Sequence, residues 1–98
     1  NILVPNVFTP NNDTYNDSFK PLFSGFSSLQ MTIYDYRGNM LYFEEATADP
    51  ANLTQPLIIN GWDGETITDS PYYIYSINGI TLFGDIEVEK SGTFIIIR

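Results

Sequence analysis

Apolar residues in this chain come in short bursts, β-branched or aromatic, broken every few positions by Asn, Asp, Gly or Pro. That is the punctuation of a protein built from strands and turns. The cleanest case is Leu29–Asp35, where Leu29, Met31 and Ile33 alternate with Gln30, Thr32 and Tyr34. A period of two sends the first three to one face of a strand and the second three to the other. Tyr36–Asn39, with Gly38 inside it, reads as a hairpin turn, and Met40–Glu44 as the strand that returns alongside. Ile2–Phe8 predicts a first strand, placed at an edge because Pro5 has no N–H to donate. Thr9–Ser18 is polar and reads as a loop; Phe19–Phe23, interrupted by Pro21, reads as a short strand. Ala46–Pro56 lacks periodicity and has room for a helical turn but not for a long helix. Leu57–Trp62 resumes extended structure and ends in Asp63–Gly64. Tyr72–Ile77 is a strand with aromatics on both faces, and Asn78–Gly79 after it is a hairpin signal. Ile80–Phe83, Asp85–Glu89 and Thr93–Ile97 follow, with turns at Gly84 and at Ser91–Gly92. About seven or eight short strands in a chain of this size predict an all-β fold, an antiparallel immunoglobulin-like β-sandwich.

Composition supports one folded domain spanning residues 1–98: 43% of positions are hydrophobic and 15% aromatic, enough to fill a small core. Twelve acidic residues against four basic ones give a formal charge of −8. Nucleic acids and anionic membranes both need a basic footprint, so neither is expected as a partner. The absence of cysteine removes disulfides, thiolate catalysis and sulfur-ligated metals. The absence of histidine removes the usual general base near neutral pH. No apolar run approaches the ~18 residues of a membrane span, so direct membrane insertion is not expected. The abrupt opening Asn1–Ile2–Leu3 reads as a domain excised from something longer.

Three groups of residues invite a chemical reading. In the loop Asn11–Asp17, the side chains of Asn11, Asp13 and Asp17 with the Tyr15 carbonyl form a partial oxygen cage of the sort Ca2+ takes. The same residues also form Asx-turns, in which Asn and Asp cap their own backbone. Asp85, Glu87 and Glu89 fall at every second position, so they share one solvated face of a strand, and Glu44–Glu45 reads as edge protection. Seven Tyr, seven Phe and one Trp suit either a sugar-stacking surface or an aromatic core, and the core reading is preferred. Tyr72, Tyr73 and Tyr75 cannot all point inward from one strand, so at least one ring lies outside.

Four pieces of sequence occur together in order. They are Val4–Asn11 running into Asp13, Asn16–Phe19; Ile33–Asp35 with Gly38–Asn39; Gly61–Gly64, reading G-W-D-G; and the Tyr72–Tyr75 strand with an apolar strand ending at Arg98. This arrangement resembles the gliding-motility-associated C-terminal domain of Bacteroidota, the type B sorting domain of the type IX secretion system. The family opens P-N-(V/A)-F-(T/S)-P-N-G-D-G-x-N-D-x-F, and the resemblance covers nearly the whole chain. Asn12 and Thr14 stand where that opening has glycines, and Tyr36–Arg37 where Arg-Trp or Arg-Tyr is usual.

The resemblance implies a non-enzymatic C-terminal sorting domain that takes a protein, for example a gliding adhesin, through periplasm and outer membrane to the cell surface or medium. It implies the type IX secretion machinery as partner. Strand chemistry suggests how such a partner would read it, since an edge strand offers unpaired N–H and C=O groups. Pro5 spoils part of the first strand, so Thr93, Phe94, Ile95, Ile96 and Ile97 are the expected contact. A carbohydrate-binding or adhesive sandwich module is the alternative from another class. No cofactor is required by the sequence, with Ca2+ the one open candidate.

Overall fold

A computed structural model describes residues 2–8, 18–51, 57–64, 70–84 and 86–96. Seven strands form among the described residues: β1 (Ile2–Leu3), β2 (Val7–Phe8), β3 (Leu22–Phe23), β4 (Phe26–Asp35), β5 (Met40–Thr47), β6 (Tyr73–Thr81) and β7 (Glu87–Ile96). They make a five-stranded sheet in the order β2-β7-β6-β4-β5 and a two-stranded sheet β1-β3. The architecture is the expected all-β sandwich. Its pairings are antiparallel except one, β2 running parallel to β7 with Val7 opposite Ile95.

The alternation in β4 sets the inner face. Leu29, Met31 and Ile33 are fully buried, and their neighbours across β6 (Tyr75 and Ile77) are buried with them. Tyr73, Phe94, Phe19, Trp62, Ile59, Phe26 and Ile2 complete the core. Six aromatic residues, Phe19, Phe26, Trp62, Tyr73, Tyr75 and Phe94, therefore fill the interior. Phe19 stacks on Phe94 with centroids 3.7 Å apart, Tyr73 lies 5.6 Å from Phe94, and Trp62 meets Phe94 edge-on at 6.1 Å. Tyr72 is the ring of its strand region left outside.

The expected first strand is two strands in two sheets. β1 pairs with β3, the chain crosses over at Val4–Asn6, and β2 joins β7. Pro5 sits in that crossing, where no ladder N–H is required of it. The Leu57–Trp62 segment contributes a single bridge, in which the Phe19 and Trp62 amides each donate to the other's carbonyl at 2.7 and 2.9 Å.

Two expected turns are absent, for the same reason. β6 runs straight through Asn78–Gly79, and β7 runs through Ser91–Gly92. Each glycine is needed for close approach. A Cβ at Gly79 would stand 2.8 Å from both Leu29 Cδ1 and Phe26 Cδ1, and one at Gly92 would stand 2.7 Å from Tyr75 Oη. The turn expected at Gly84 is present and joins β6 to β7 over Leu82–Gly84, where Gly84 takes φ +88°.

Candidate functional site

The residues singled out by sequence fall in different parts of the molecule. Asn11, Asp13, Tyr15 and Asp17 lie outside the described residues, as do Asp85 and Ile97. Of the expected contact strand, Phe94 is a core residue, Thr93 and Ile95 are exposed, and Ile96 is half-buried. The edge that the sequence left open is occupied here by β2, with the Ile95 amide donating to the Asn6 carbonyl at 3.1 Å. An incoming strand reaches Ile95–Ile96 from that side only if β2 leaves.

Glu44 and Glu45 do different things. Glu45 is exposed and accepts from Gln30 Nε2 at 2.6 Å, as an edge residue does. Glu44 points the other way and grips a loop. Its carboxylate accepts from the amides of Asn60 at 2.7 Å and Gly61 at 2.9 Å, and from the Tyr42 hydroxyl at 2.7 Å. Burial, followed by the hydrogen bond to Glu44, pushes the Tyr42 phenol up to about 12. The clamp fixes the start of the G-W-D-G segment. Gly61 adopts φ +88°, and a Cβ there would stand 2.9 Å from the Phe19 carbonyl oxygen, so the motif's first glycine lets Trp62 enter the core beside Phe19.

Asp35 closes the β4–β5 hairpin. One oxygen accepts from the amides of Arg37 and Asn39 and the other from Asn39 Nδ2. The side-chain bond from Asn39 is the main cause of a carboxyl held below its usual value. The Ser70 hydroxyl accepts from the Tyr36 amide and donates to the Tyr72 carbonyl, joining this turn to the entry of β6. That junction brings the exposed rings of Tyr36 and Tyr72 to 6.1 Å, edge to face.

The outer face of the five-stranded sheet carries a shallow groove of about 380 Å3, lined by Ser28, Gln30, Asn78, Ile80, Glu87 and Glu89 among others. Glu87 and Glu89 are solvated, as the alternation predicts. Sequence reasoning did not single out the hairpin tip next to it, where Phe83 and Ile86 stand exposed. The available signal was a phenylalanine beside a turn glycine.

Residues 2–96 match the CHU_C type IX secretion signal domain, and the chain belongs to that family. No curated protein and no solved structure gives a significant match. The family is one of targeting domains, so the chain has a C-terminal targeting role and is recognised by the type IX secretion machinery for export to the cell surface or beyond.

Proposed function

We propose that residues 1–98 are the sorting domain at the C-terminal end of a longer surface protein, with a gliding adhesin as one candidate cargo. The domain performs no catalysis; it directs its cargo through periplasm and outer membrane in a member of the Bacteroidota. The family match over residues 2–96 carries this reading. Fusing the domain to a periplasmic reporter in such a host should bring the reporter to the cell surface. A reporter held in the periplasm with the domain folded would refute it.

Two finer elements belong to the same proposal. Of the proposed contact Thr93–Ile97, the part at Ile95–Ile96 requires β2 to give way, so tethering β2 to β7 should block export if that contact is used. Calcium at Asn11, Asp13, Asp17 and the Tyr15 carbonyl is supported by donor chemistry alone, and a melting temperature that falls with chelator would support it. A sugar-binding module is favoured by one observation, the exposed Tyr36–Tyr72 ring pair. Glycan-array binding lost on Tyr72→Ala would favour that alternative over sorting.

A further inference from the structure

We propose that the β6–β7 hairpin tip is a docking knob, and that its partner is a protein surface with an apolar socket rimmed by Lys or Arg. The proposal rests on the sorting reading above, in which that partner belongs to the export machinery. Phe83 is 83% exposed and Ile86 60% exposed, so both rank among the least covered large apolar side chains in the described structure. Isolated exposed apolar residues are ordinary. These two stand together at one hairpin tip whose backbone is held in place. The Thr81 amide donates to the Ile86 carbonyl at 2.9 Å, and the Ile86 amide donates to Thr81 Oγ1 at 2.9 Å. Thr81 Oγ1 donates in turn to the Phe83 carbonyl at 2.9 Å, and the Leu82 amide donates to the Gly25 carbonyl at 2.8 Å. A ring displayed on a preorganised turn loses little freedom on docking, and aromatic anchors in pockets dominate interface energies.

Charge identifies the occupant. Glu87 stands directly opposite Ile80 at the base of the tip, and with Glu89 it lines the groove described above. Among the described residues, no basic side chain lines that groove. Lys90, next along β7, reaches away to the Ile2 carbonyl at 3.2 Å. An apolar knob beside an acidic groove, on a chain of charge −8, repels both an anionic bilayer and a second copy of itself. It fits a basic-rimmed protein socket, where opposite charges speed encounter and fix register.

The test uses the reporter fusion in the same host, with four domains: wild type, Phe83→Ser/Ile86→Ser, Glu87→Lys/Glu89→Lys and, as control, the exposed Ile58→Ser. Both double variants should lower surface-displayed reporter roughly tenfold or more, as loss of a central anchor does. Ile58→Ser should export normally, and all purified domains should melt together. Should the serine pair lower the melting temperature, the lysine pair, which leaves the tip intact, carries the test. Wild-type export matched by both double variants overturns the knob while leaving the sorting reading standing. A wild-type domain that fails to export overturns the sorting reading, and the knob with it. Flotation of the wild-type domain, but not the serine variant, with phosphatidylcholine–phosphatidylglycerol vesicles would make the tip a lipid anchor and overturn the proposal. A wild-type dimer lost in the serine variant would overturn it in favour of a second copy.

Discussion

Replacing Glu44 by Gln tests the clamp with the smallest change of shape. The carboxylate offers two acceptor oxygens to three donors, the Asn60 and Gly61 amides and the Tyr42 hydroxyl. Gln keeps one acceptor and turns an NH2 toward at least one N–H. A hydrogen bond to a charged group contributes about 1.5–3 kcal/mol, and an unpaired donor costs more where water is excluded. Glu44 is half-buried, so solvent softens the loss, and about 2 kcal/mol is the expected cost. For a domain of this size that lowers Tm by roughly 8–16 °C. Differential scanning calorimetry of the variant beside Glu45→Gln gives the comparison, because Glu45 makes only an exposed bond to Gln30 and should stay within about 0.5 kcal/mol of wild type. A Glu44→Gln domain that melts within about 2 °C of wild type would refute the reasoning, since that corresponds to only a few tenths of a kcal/mol.

The same phenol gives an alkaline prediction. Its folded value of about 12 lies above the ordinary 10.0, so its stabilisation is present below about pH 10 and lost as pH rises through 12; Tyr42→Phe should flatten that limb in urea titrations. Asp35 has the opposite sign. Its carboxyl is lowered, so its contribution is present above the ordinary carboxylate value and fades as pH falls, and Asp35→Ala should lower the denaturant midpoint at neutral pH while making it less acid-sensitive. Gly92→Ala and Gly79→Ala should each cost about 1–3 kcal/mol through overpacking, although Ala ordinarily favours a strand interior over Gly. Pairing Gly92→Ala with Tyr75→Phe should recover part of the loss, because Tyr75 Oη is the atom nearest the new methyl.

What the sequence made legible was local. The Leu29–Met31–Ile33 alternation named the inner face of β4, and Tyr36–Asn39 turned where it was expected, the Gly38 amide donating to the Asp35 carbonyl. Asn78–Gly79 misled because the dipeptide that makes a tight hairpin also makes a bare spot on a strand, and only the Leu29 and Phe26 side chains packed on it distinguish the two. Glu44 beside Glu45 looked like one acidic edge. The register of β5 sends one inward to a loop 16 and 17 residues away, a contact no short-range pattern encodes. The parallel β2–β7 pair was illegible for the same reason. The family was easier to read than the site, because a long ordered motif survives without knowledge of which strand neighbours which.

The β2–β7 pair also bears on when the domain finishes folding. Val7 and Phe8 wait for Ile95 and Ile96, and the Lys90 ammonium meets the Ile2 carbonyl 88 residues back. Such distant closures are slow to form, and on a growing chain they cannot form until β7 has been made. A ribosome that stalls before Glu87 leaves β6 with an open side and β2 with no ladder to join. Completion of the sheet thus requires that synthesis has run through β7, and a chain cut short before Glu87 lacks the β2–β7 edge altogether.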